Sequence, residues 1–111
     1  MGISSEIGNR INSFRDLCRN HKVETMYVFG SATTNNFDQT NSDIDLVVEI
    51  KESNPINRGE LLISLWDKLE NFFDRKVDLL TEVSIKNPFL KKSIDNSKVL
   101  IYDGSREKVL I

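Results

Sequence analysis

Ile3, Ile7, Ile11, Phe14, Leu17 and Cys18 recur at helical spacing, which predicts one amphipathic helix over residues 3–20. His21 and Lys22 lie near its end, where positive charge suits the helix dipole. Val23 to Phe29 is β-branched and aromatic and stops at Gly30, the mark of a strand. Residues 32–42 are rich in Thr, Asn, Asp and Gln and read as a loop with room for one helical turn. Asp43 to Ile50 is a second strand with Ile44, Leu46 and Val48 on one face, broken by Ser53-Asn54-Pro55. Leu61, Leu62, Leu65, Trp66, Leu69, Phe72 and Phe73 give a long helix with a wide apolar face. Lys76 to Leu80 is a third short strand. Asn87-Pro88 then opens another helix, Asn as cap and Pro at the first position, with Phe89, Leu90 and Ile94 as its buried side. Val99 to Tyr102 is a last strand, and Asp103-Gly104-Ser105 turns the chain into a charged tail, 103–111. The succession predicts one domain over 1–111, core 23–102, in the α/β or α+β class: a small sheet with helices on it.

The 111 residues suit a single compact domain, with 39% hydrophobic residues for a modest core and 29% charged for its surface. No apolar run reaches the length of a membrane span, and MGISSEIGNR at the start holds no signal-peptide stretch. Gly2 with a serine nearby is a short lipidation pattern, set aside for want of a second anchor. The single Cys18 cannot pair within the chain, so the expected location is cytoplasmic, and its place on the apolar side of the first helix assigns it to packing. A net charge of -2 with only short basic pairs, Arg75-Lys76 and Lys91-Lys92, argues against a long nucleic-acid partner. His21 is the only histidine, which excludes a histidine metal cluster or triad and leaves it a solvated helix-end residue. Trp66, Tyr27 and Phe29 are read as core, the last two under the first helix; Trp66 has stacking on a partner as its alternative. Phe72 and Phe73 cannot both face fully inward, which places one of them at an interface.

Three features carry chemistry. Gly30-Ser31 ends a hydrophobic strand; glycine lets a ligand approach the backbone, and free N–H groups with the Ser31 hydroxyl suit phosphate oxygens. An ordinary strand-ending turn has the same residues. In Ser42-Asp43-Ile44-Asp45-Leu46, strand alternation puts Asp43 and Asp45 side by side while Ile44 and Leu46 enter the core. Two close carboxylates repel, and a hard cation such as magnesium compensates them while also taking substrate phosphates. A polar outer face of an edge strand is the plainer reading; Glu49, further along that face, is taken as solvent-facing. Asp78 interrupts the hydrophobic strand Lys76-Val77-Asp78-Leu79-Leu80. Beside the Asp43–Asp45 strand it would complete three carboxylates, enough for two divalent ions roughly 3.5–4 Å apart; otherwise it pairs with Arg75 or Lys76.

A strand into Gly30-Ser31, ten residues, then Ser42-Asp43-Ile44-Asp45-Leu46-Val47-Val48 resembles the signature of the DNA polymerase β-like nucleotidyltransferase superfamily. The short chain, the late strand with Asp78 and the run from Lys86-Asn87-Pro88-Phe89-Leu90 to Tyr102 are similar to its minimal nucleotidyltransferase branch. The resemblance implies a mixed sheet flanked by helices. It implies ATP as donor and Mg2+ as cofactor, with Gly30, Ser31 and Ser42 on the nucleotide. It makes Asp43, Asp45 and Asp78 the catalytic, metal-holding trio, Asp78 helping to deprotonate the acceptor hydroxyl. Members of the branch often work beside a HEPN-domain toxin, some transferring AMP onto its tyrosine, so a HEPN-domain protein is the expected partner in a homo- or hetero-oligomer. The basic residue common after the Gly-Ser signature is absent from Ala32-Thr33-Thr34-Asn35-Asn36. Two other readings stay open: a module that silences its partner by covering it, and a small-molecule nucleotidyltransferase.

Overall fold

A computed structural model describes residues 2–30 and 43–110. Two short helices, α1 (Gly2–Ile7) and α2 (Ile11–Asn20), precede β1 (Val23–Phe29) and β2 (Ile44–Ile50). Helix α3 (Pro55–Phe73) leads to β3 (Val77–Leu80), and α4 (Pro88–Ser97) to β4 (Val99–Asp103) and β5 (Lys108–Val109). The strands form one mixed sheet in the order β3-β2-β1-β4-β5. β1 at its centre runs antiparallel to β2 and β4, and β2 runs parallel to β3. This is the expected mixed sheet with helices on it.

The single helix expected over 3–20 is two. Gly8 sits at φ +55 and ends α1, its N–H bonded to Ser4 O at 2.8 Å. The apolar spacing continues across the break because Ile3, Ile7, Phe14 and Cys18 all reach one core. The Asn87 cap stands as read, and Asn54, expected only to break the strand, caps α3 as well. Asn54 Oδ1 accepts from Ile56 N (2.9 Å) and Asn57 N (3.1 Å), so α3 starts a turn and a half before its leucine run. Asn87 Oδ1 accepts from Phe89 N and Leu90 N in the same way.

The sheet has two unlike faces. Met26, Val28, Ile44, Leu46 and Val48 are fully buried against α1, α2 and α3, with Leu65, Leu69 and Ile101. The other face carries a smaller cluster, Val47 with Ile85 and Ile94, edged by Tyr27, Phe29 and Leu80. Tyr27 and Phe29 are therefore not under the first helix; strand alternation sends them opposite to Met26 and Val28, and Lys98 Nζ stands 4.5 Å above the Tyr27 ring.

Other side chains depart from expectation too. Ile94 alone is the buried side of α4: Phe89 is 84% exposed and Leu90 47%. Trp66 is 42% exposed, its indole N–H donating to Val77 O at 2.7 Å. Glu70 accepts from Val77 N at 2.9 Å, so two side chains of α3 occupy the outer backbone groups at the start of edge strand β3. His21 is half-buried and ties α2 to α3, Nδ1 bonding to Leu17 O (2.8 Å) and Nε2 to Ser64 Oγ (2.9 Å). Of the phenylalanine pair, Phe73 is buried and Phe72 partly so, under the Arg10 guanidinium at 4.0 Å. Residues 103–109, expected in a charged tail, form a turn and return as β5 beside β4, with Val109 opposite Tyr102. Among the described residues no helix is long and apolar enough to cross a membrane.

Candidate active site

The carboxylates come together through strand register. In the parallel pair, Asp45 lies opposite Asp78, flanked by Ile44 opposite Val77 and Leu46 opposite Leu79. Alternation buries Ile44, Leu46, Val77 and Leu79 beneath the helices and turns both aspartates to the other face, which α4 covers only in part. Asp43, half-buried, lies just before β2 and two residues ahead of Asp45, near enough for its charge to act on the Asp45 carboxyl. Asp45 is half-buried and Asp78 exposed, so the cluster opens to solvent from the β3 side.

The electrostatics follow. Burial pushes the Asp45 carboxyl up to about 6, reinforced by Asp78, which both repels it and shares a hydrogen bond with it, and then by Asp43. Arg75, one of the alternatives for Asp78, pairs with Glu6 at 2.8 Å, and among the described residues no ion pair reaches Asp78. Among the described residues no three histidine, cysteine, aspartate or glutamate side chains are arranged so as to hold a metal ion as they stand. The three carboxylates line an open strip of sheet.

Gly30 completes the geometry. It stands at φ +73 at the end of β1, beside Asp45's partner Phe29. A Cβ at Gly30 would come within 2.6 Å of Asp45 Oδ2, so any other residue at this left-handed position would push the carboxylate aside. Ser31 and Ser42, the other candidate nucleotide-binding residues, lie outside the described residues. Phe29, half-buried on the carboxylate face next to Asp45, went unread as a site residue; period-two alternation from buried Met26 and Val28 was the signal for it. Glu49 does not simply face solvent: its Oε1 accepts from Glu82 N at 2.9 Å, fastening the segment after β3 to β2. Cys18 is fully buried among apolar residues, and burial pushes its thiol far up, which keeps it an inert packing group.

Residues 12–107 match the family "Polymerase beta, Nucleotidyltransferase". The chain belongs to this family. The nucleotidyltransferase is 38% identical over 87 residues to MJ0126 of Methanocaldococcus jannaschii, provisionally named a protein adenylyltransferase; the match covers 78% of this chain and 85% of the relative. A chain in a crystal structure of a toxin–antitoxin with AMP-PNP superposes with a TM-score of 0.59 at 26% identity, over 83% of this chain and 72% of that one. A chain in the tri-AMPylated Shewanella oneidensis HEPN toxin–MNT antitoxin complex superposes with a TM-score of 0.51 over 96% and 76%. At 23% identity that last likeness is one of fold.

Proposed function

We propose that this nucleotidyltransferase is a magnesium-dependent adenylyltransferase that moves AMP from ATP onto a hydroxyl of a partner protein, a HEPN-domain toxin, and thereby acts as its antitoxin. The observation that carries this is the parallel register of Asp45 and Asp78 beside Gly30, with Asp43 two residues away. The donor set suits Mg2+: hard carboxylate oxygens only, on an open face where phosphate oxygens can complete the coordination. Asp43, Asp45 and Asp78 would hold the metal, which when bound offsets the charge developing on the phosphate oxygens.

The protein's own groups do the rest. Gly30 leaves room for the nucleotide phosphates at the end of β1, a role shared with Ser31 and Ser42. Asp78, the most open of the three, takes the proton of the acceptor hydroxyl. The hydroxyl oxygen bonds to the α-phosphorus, the bond from that phosphorus to the bridging oxygen breaks, and pyrophosphate leaves with the electron pair. Positioning and fixed charge supply most of the rate. The resemblance to MJ0126 and to the AMP-PNP-bound toxin–antitoxin supports nucleotide use and a protein acceptor. The missing basic residue after Ser31 favours a second reading, a module that silences the partner by binding alone.

Co-expression with the product of the neighbouring gene, followed by intact mass of that partner, separates the two. A gain of one or more AMP masses, lost in Asp43→Asn/Asp45→Asn, is the expected result. A tight complex with unmodified partner in both cases would overturn it in favour of the binding module.

A further inference from the structure

The outward side of α3 carries apolar residues that the core does not use. Ile56 is 74% exposed and Ile63 70%, and half-exposed Trp66 follows. With Gly59 they recur at spacings of three and four residues, so they form one stripe along the helix, Ile63 lying opposite buried Leu65. Beside the stripe a groove of about 160 Å³ opens between α3 and the segment after β3, lined by Ile50, Pro55, Gly59, Leu62 and exposed Val83.

Gly59 is a residue the fold itself does not require. In a helix interior it costs about 1 kcal/mol relative to alanine, and a Cβ there would meet nothing within 4 Å. Bare backbone at a groove lets another chain come close. Trp66 has its N–H already bonded to Val77 O, so its exposed ring offers apolar surface without an unpaired donor. The rim is acidic. Exposed Glu60 and Asp67 flank the stripe and Glu49 stands in the groove wall. The groove's one described cation, Arg58, donates to Glu52 O at 3.0 Å. Glu49 shares its strand face with Asp45, four residues along, about 13 Å at strand spacing.

We propose that this stripe and groove are the docking surface for the protein that supplies the acceptor hydroxyl, and that the partner seats there an apolar ridge flanked by lysine and arginine side chains. This deepens the adenylyltransferase reading and rests on it. Trp66 bonds to Val77 O, the residue before Asp78, and Glu49 of the carboxylate face stands in the groove wall, so a protein seated on this stripe lies along the β3 edge of the sheet, around which the carboxylate face begins.

The test uses the purified product of the neighbouring gene, with its dissociation constant measured by calorimetry and AMP transfer by mass. Gly59→Phe puts a ring into the groove from a position where a Cβ meets nothing within 4 Å, and Ile63→Glu adds like charge to the rim. Each is expected to weaken binding at least about thirtyfold and to raise the KM for the partner while kcat holds. Gly59→Ala is expected to melt higher and to bind more weakly than wild type, though less so than Gly59→Phe. Dissociation constants within threefold of wild type for both Gly59→Phe and Ile63→Glu, while Asp45→Asn still abolishes transfer, would overturn the docking surface and leave the adenylyltransferase reading standing. A wild-type protein that neither binds nor modifies the partner would overturn both. A homodimer in light scattering that Ile63→Glu dissociates would assign the face to a second copy and overturn the proposal.

Discussion

The two faces of the sheet are built to different ends. Beneath α1, α2 and α3 the strands present an unbroken apolar surface, with Met26, Val28, Ile44, Leu46 and Val48 fully buried. On the other face only Val47, Ile85 and Ile94 make a buried cluster, and the same strands present Asp45, Asp78 and Glu49. One face supplies the stability that lets the other carry side chains at odds with folding. Substitutions on the two faces should therefore separate activity from stability.

The largest effect expected is on transfer. Asp45→Asn should lower AMP transfer at least about a thousandfold without unfolding the chain, checked by rate and circular dichroism together. Gly30→Ala should act in the same direction, because its methyl group displaces the Asp45 carboxylate. The helix-covered face should show the opposite signature. Leu69→Ala removes a fully buried side chain and should cost about 3 kcal/mol, a fall in Tm of roughly 10–20 °C. Ile94→Ala in the smaller cluster should cost less, about 2 kcal/mol. Equal losses at the two positions would break the comparison.

A smaller effect belongs to Asp45 itself. Its folded pKa, about 6, lies above the ordinary aspartate value, so its stabilising contribution is fully present at low pH and is lost as pH rises through 6. Without divalent cations, Asp45→Asn should raise stability near pH 7 by about 1 kcal/mol after solvent screening and by nothing near pH 4, measured by thermal melts at the two pH values. The smallest effect is at the surface. The hydrogen bond from Lys91 and the charge of Lys98 hold Glu82 below the usual carboxylate range. Its contribution is present above that range and lost as pH falls through the lowered value. Glu82→Gln should lower Tm at pH 7 by at most about 2 °C, the difference vanishing in acid.

The contrast between the faces also marks what could be read from the residues. Strand alternation around Asp43, Asp45 and Asp78 and the Asn87-Pro88 cap are local rules, and each element they predict is present. The juxtaposition of Asp45 with Asp78 is not local: it depends on β3 returning parallel beside β2, which alternation alone leaves open. Apolar spacing puts Phe89, Leu90 and Trp66 in the core because it marks a side that is covered without saying what covers it, and all three are exposed. Gly8 split a helix whose apolar spacing runs on, since a left-handed residue redirects the chain without interrupting the set of residues that reach the core. β5 is two residues long, too short for any periodic signal.

The bond from Trp66 to Val77 O has a spectroscopic consequence. Trp66 is the only tryptophan in the chain, and its indole is anchored to the residue directly before Asp78. Its emission therefore reports on the strand that carries this carboxylate, so nucleotide and metal titrations can be followed in the native protein without a label. Quenching by iodide, in turn, should register coverage of the exposed ring on α3, so that a single fluorophore reads occupancy of the sheet and of the helix by two independent signals.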